Sequence, residues 1–231
     1  MNPIRSLLLL VLFSLLLPGR PLMAAPVRLA LVVPGTMISK PVMSMRERRF
    51  EHIVEQKTDF SCGAAALATI LRYAYGMNVS EPQVVSEMLA VADPELVRRL
   101  GFSLLDVKRY VESIGMRGRG YRISIEALNE VRVPVIVLLN YKGYKHFVVL
   151  RRISGNSVYL GDPAMGNRVI DREVFASGWN GVLFAVIGPQ YNRETPLLRP
   201  RERLTVRDTE SWRPISDVEL VDFGFLRADF F

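Results

Sequence analysis

The strongest constraint on this chain is a change of period along it. From Cys62 to Gly115 its apolar residues recur at helical spacing, and from Val133 onward they run in short β-branched stretches broken by turn residues. Gly63 to Tyr75 places Ala66, Leu67, Ile70, Leu71 and Ala74 on one helical face, and Gly76 stops the pattern, so Cys62 falls at a first helical turn. Ser80, Pro82 and Gln83 predict a capping-box start to a helix through Leu89. Asp93-Pro94 opens a third helix that Gly101 closes, and Ser103 with Asp106 opens a fourth that ends at Gly115. Beyond them, Val133 to Leu139 reads as a strand despite Pro134, Tyr141 to Lys145 as a turn around Gly143, and His146 to Arg152 as a second strand. Ser157 to Leu160 and, after the Trp179-Asn180-Gly181 bend, Val182 to Ile187 add two more. Helices first and an antiparallel sheet second predict an α+β domain and argue against a doubly wound parallel sheet.

Such a domain can be stable without a staple. The 231 residues are 49% apolar and 23% charged, as in folded globular proteins, and a chain of this length buries enough surface to need neither disulfide nor metal. One cysteine, Cys62, and two histidines, His52 and His146, are too few for a zinc site of the Cys and His type, and no metal or cofactor is expected. The net charge of +7 comes without any Lys/Arg block interleaved with aromatics, so no nucleic-acid interface is expected.

The ends of the chain differ from its middle. Arg5, the apolar run Leu7 to Leu17, the break at Pro18-Gly19 and the small residues Ala24 and Ala25 predict a secretory signal peptide over residues 1–24. That run is well short of the roughly 20 apolar residues of a spanning helix; Leu22, large for a cleavage site, keeps an uncleaved anchor open as the alternative. Residues 25–49 form a strand-like lead-in through Val27 to Val33, with the charge cluster Arg46 to Arg49 at its end. The main domain is expected over 50–188. From 189 to 231 follows an extension in which basic residues 193–207 precede acidic residues 208–231, two halves able to pair with each other or to dock on the domain.

In an oxidising compartment a lone thiol is buried and inert, paired with another molecule, or reactive. At a helix N-terminus unpaired N–H groups favour the thiolate, and Gly63 removes a side chain from the approach to Cys62. His146 opens an apolar strand after a Gly-containing turn, a place from which an imidazole can reach a facing helix terminus; a Cys and His pair so placed forms a thiolate and imidazolium. Asp162, at the end of the next strand, is positioned to hold the other ring nitrogen, although Asp162-Pro163 also reads as a plain turn. Gln56, six residues before the cysteine, can offer a side-chain amide to an oxyanion. His52 is expected only to pack, while Tyr144, Lys145 and Arg151 are expected to flank the cleft and to favour acidic substrate positions.

Gln56-Lys57-Thr58-Asp59-Phe60-Ser61-Cys62-Gly63-Ala64-Ala65, His146-Phe147-Val148-Val149 and Gly161-Asp162-Pro163 together resemble the motifs of the C39 family of papain-like cysteine peptidases, over roughly residues 50–188. The resemblance implies a papain-like α+β fold with Cys62 as nucleophile, His146 as general base and acid, Asp162 as its orienter and Gln56 as oxyanion donor. One departure stands out: the family usually has Asp immediately before the cysteine, and here Ser61 occupies that place. With no P-loop pattern, the chain looks like the free-standing exported members, including one encoded with bacterial functional-amyloid secretion systems. The implied protein is a periplasmic endopeptidase acting on an exported or envelope polypeptide, its extension available for secretion machinery or a membrane surface. The alternatives are a non-enzymatic peptide-binding module of an export system and an amidase of cell-wall peptides.

Overall fold

The computed structural model describes residues 27–30, 37–40, 43–141 and 143–200. The signal peptide expected over 1–24, and the extension beyond residue 200, lie outside these. The chain divides into two compact units, residues 1–49 and 50–231. In the first, β1 (Val27–Ala30) pairs antiparallel with β2 (Met37–Lys40), and α1 (Met45–Arg49) carries the charge cluster.

The second unit opens with four helices, α2 (Cys62–Ala74), α3 (Glu81–Leu89), α4 (Pro94–Leu100) and α5 (Leu104–Ser113). Their starts follow local chemistry. Asp93 accepts from the N–H groups of Glu95 and Leu96, and Ser103 forms a reciprocal capping box with Asp106. At Ser80 only half of the expected box forms, because the Gln83 side chain donates to Glu87 instead.

Six strands then make one antiparallel sheet: β3 (Arg117–Arg122), β4 (Val135–Tyr141), β5 (Tyr144–Ser154), β6 (Ser157–Asp162), β7 (Gly166–Asp171) and β8 (Trp179–Ile187), in the order β3-β8-β4-β5-β6-β7. A short helix, α6 (Arg172–Gly178), joins β7 to β8. Both faces of the sheet are covered. Ile136, Phe147 and Val149 join the core built around α2, while Val135, Val137, Val148 and Leu150 join a second core with Phe175 of α6. Burial on two faces explains why β4 and β5 read as unbroken apolar runs and not as alternating ones.

In the second unit, β3, β7 and α6 are not foreseen in the sequence. β3 and β7 are the sheet edges, and β3, Arg-Gly-Arg-Gly-Tyr-Arg, is exposed at all but Gly118. Hydrogen bonds to β8 hold it, not a buried side-chain stripe, so no apolar period marks it; its arginines suit a free edge. The short α6 likewise buries only Phe175. The hairpin turn is also tighter than expected, since β5 already begins at Tyr144, paired with Tyr141. The start of the extension docks on the domain: Asn192 donates to the Ala74 carbonyl, Thr195 Oγ1 to that of Tyr73, and Leu197 is buried.

Candidate active site

Cys62 is the first residue of α2 and is 93% buried, with 7% of its surface exposed. Ser61 occupies the cap position, yet its side chain makes no bond to the helix. The first-turn N–H groups are thus left without a side-chain cap at the sulfur's end of the helix, where the dipole is positive. Gly63 has a different reason from the one expected of it. A Cβ there would lie 3.2 Å from the Phe147 ring and 3.5 Å from Phe102 Cβ, so the glycine lets the helix start pack against the strand that carries His146.

His146 does not open its strand; it is the third residue of β5, an interior strand between β4 and β6. Its Nε2 lies 2.8 Å from Asp162 Oδ1, both side chains being buried. With the carboxylate accepting from Nε2–H, the neutral ring keeps its lone pair on Nδ1. Nδ1 is buried and meets no partner at hydrogen-bonding geometry among the described residues, but the Cys62 thiol is near enough to act on it. Burial pushes the His146 pKa down; the hydrogen bond to Asp162 and the neighbouring thiol and carboxylate push it up further, to about 9. Asp162 also accepts from the N–H groups of Ala164 at 2.9 Å and Met165 at 3.0 Å, which fixes its carboxylate at the end of β6. Burial pushes its pKa up, but the His146 hydrogen bond and charge and these two N–H groups outweigh that and hold it below the ordinary value.

Gln56 lies in the loop before α2, held at several points. Its backbone N–H donates to the Pro163 carbonyl at 3.0 Å, which joins it to the Asp162 turn. The Val54 N–H reaches Thr69 Oγ1 on α2, and the Lys57 N–H reaches the Glu81 carboxylate on α3. Gln56 Nε2 donates to the Thr58 carbonyl at 3.1 Å, leaving its second hydrogen uncommitted to that bond. The structure therefore places Asp162 on His146, brings the Cys62 thiol within electrostatic reach of His146, and ties Gln56 to both the Asp162 turn and the segment leading into Cys62.

The flanking residues sort differently from expectation. Tyr144 is 54% exposed and stacks on the His146 ring with centroids 5.9 Å apart and planes at 24°. Burial of part of its phenol and the charges of Cys62, Asp59 and Asp162 raise its pKa, placing it in the field of the site. Its i, i+2 relation to His146 on one strand face was the available signal. Lys145, between them, projects from the opposite face. Arg151 does not flank a cleft: it is buried and donates through Nε to the Leu197 carbonyl at 2.9 Å, through a terminal nitrogen to that of Pro196 at 2.8 Å, and to Asn167. His52 packs edge-on against Tyr73.

Residues 51–189 match the Peptidase C39 family. The chain is 54% identical over 223 residues to a probable functional amyloid protease, FapD, of Pseudomonas aeruginosa, covering 96% of this chain and 99% of that one. It is 52% identical to the protein of the same description from Pseudomonas fluorescens, over 94% and 96% of the two chains. A solved double-glycine-motif protease from an AMS/PCAT transporter, bound to its leader peptide, superposes with a TM-score of 0.50 at 31% identity, over 58% of this chain and 89% of that one. The peptidase domain of Streptococcus ComA shares the fold, with a TM-score of 0.50 at 23% identity, over 58% and 96%. A thiol at a helix start beside a histidine held by an aspartate, inside a match that spans most of the chain, identifies this protein as a cysteine peptidase belonging to the C39 family.

Proposed function

We propose that the protein is a periplasmic endopeptidase that cleaves an exported or cell-envelope polypeptide during functional-amyloid biogenesis, with Cys62, His146, Asp162 and Gln56 as its machinery. The observation that carries the chemistry is His146 itself, bonded through Nε2 to a buried carboxylate while Nδ1 is left for the thiol. The amyloid context rests on the FapD proteins, 54% and 52% identical over nearly the whole chain. Export rests on Arg5, the Leu7 to Leu17 run and the small residues at 24 and 25.

In this mechanism His146 Nδ1 takes the Cys62 proton and the thiolate attacks the substrate carbonyl carbon, forming a C–S bond and an oxyanion. The Cys62 N–H and the Gln56 amide stabilise that oxyanion. Collapse breaks the C–N bond, and the leaving amine takes its proton from the His146 imidazolium. His146 then deprotonates water, which attacks the thioester and releases the new carboxyl group and the thiol. Asp162 keeps the ring in one tautomer and stabilises its cationic form.

The test compares protein termini in the envelope and culture medium of cells carrying wild type or Cys62→Ala. A terminus present only with wild type names the substrate, and His146→Ala must lose the same terminus. Identical termini in all three strains would refute the processing role, and loss of peptide crosslinks from purified peptidoglycan would favour a cell-wall amidase instead.

A further inference from the structure

A serine at a helix cap position ordinarily accepts a hydrogen bond from the second or third helical N–H, a bond worth about 1 kcal/mol. Ser61 makes none. It is fully buried, and its hydroxyl turns back along the chain: Oγ donates to the Thr58 carbonyl at 2.8 Å and accepts from the Thr58 N–H at 3.3 Å. The Ser61 N–H points to that same carbonyl at 3.3 Å. The remaining donor on the Thr58 carbonyl is Gln56 Nε2, at 3.1 Å. One carbonyl oxygen thus gathers the residue before the cysteine and the amide assigned to the oxyanion. Gln56 has three rotatable side-chain bonds, and this carbonyl is what its Nε2 is bonded to.

From this arrangement we infer that Ser61 is a positioning residue for oxyanion stabilisation: it fixes the Thr58 carbonyl that orients the Gln56 amide, and it leaves the first-turn N–H groups of α2 uncapped. An aspartate in its place lacks the O–H donor that the Thr58 carbonyl uses and would put a negative charge at the sulfur's end of the helix. The inference rests on Gln56 being the oxyanion donor.

Two reactions of the purified full chain separate the roles. Acylation of Cys62 by p-nitrophenyl acetate passes through an oxyanion; alkylation by iodoacetamide needs the same thiolate but forms none. Ser61→Ala is expected to slow acylation by about tenfold to a hundredfold and to leave alkylation within about twofold of wild type. Gln56→Ala slows acylation at least as much, and the double variant is no slower than Gln56→Ala alone, because Ser61 acts through that amide. Ser61→Gly, read in the same way, replaces alanine if the alanine variant does not fold. Multiplying effects in the double variant, or alkylation that falls in step with acylation, would overturn the inference while leaving Gln56 its role. Unchanged acylation in Gln56→Ala would instead remove Gln56 from the mechanism, and the inference with it.

Discussion

His146 is held between a carboxylate and a thiol, and the direction of its pKa shift fixes a pH dependence. As imidazolium it is the acid that protonates the leaving amine, so kcat/KM is expected to hold through neutral pH and to fall as pH rises through about 9. Asp162→Asn removes the carboxylate charge that raises that value and leaves at most a neutral amide oxygen for Nε2–H, so the alkaline fall should move down towards the ordinary histidine value of about 6.5. A fall that stays at the same pH in the asparagine variant would separate His146 from the acid. Tyr144 stacks on the same ring. An exposed cation–π contact is worth about 0.5–1 kcal/mol, so Tyr144→Ala should lower the pH of the alkaline fall by up to about 0.7 unit, and Tyr144→Phe should not. Equal profiles for the alanine and wild-type proteins would reduce Tyr144 to a wall of the cleft.

At the scale of elements, the site depends on how closely α2 meets β5. Gly63→Ala puts a methyl 3.2 Å from the Phe147 ring, next to His146, and overpacking of this kind costs about 1–3 kcal/mol. The expected result is a lower melting temperature together with reduced kcat; a variant that melts and cleaves like wild type would show that the contact has slack. Arg151 plays a different part, bonding the Pro196 and Leu197 carbonyls and so fastening residues 192–198 to the sheet. Arg151→Met leaves the buried Leu197 carbonyl without that donor, at about 1–3 kcal/mol for an unpaired group, while the Pro196 carbonyl keeps the Arg199 N–H, and limited proteolysis should then cut near residues 190–200 faster than in wild type. The sequence shows α2 to α5 through caps and helical period, and β4, β5, β6 and β8 through β-branched runs. It hides β3, whose ladder to β8 needs no apolar side chains, and it hides the role of Arg151, because a burial that depends on a segment 45 residues later has no local signature. Cys62, His146 and Asp162 carry signals of their own at a helix start, a strand and a strand end, whereas Gln56 stands out only through its motif, and Ser61 reads as a departure until its hydroxyl is seen on Thr58.

For the molecule as a whole, the buried His146 and Asp162 pair links folding to pH with a definite sign. The folded pKa of His146 is raised, so its contribution to stability is present below about 6.5 and lost as pH rises towards about 9. The folded pKa of Asp162 is lowered, so its contribution is present above the ordinary carboxylate value and lost as pH falls through the lowered one. The melting temperature of wild type should therefore fall between pH 6.5 and 9, and His146→Ala should flatten that slope; parallel curves would contradict the coupling. The decisive reaction is iodoacetamide alkylation of Cys62 at pH 6 in wild type, His146→Ala and Asp162→Asn. Wild type should react readily, His146→Ala at least about tenfold more slowly, and Asp162→Asn in between, because in the proposed mechanism the imidazole takes the Cys62 proton and the carboxylate supports the protonated ring. Equal rates in all three would mean that the sulfur and the imidazole do not act together, and that the proposed mechanism is wrong.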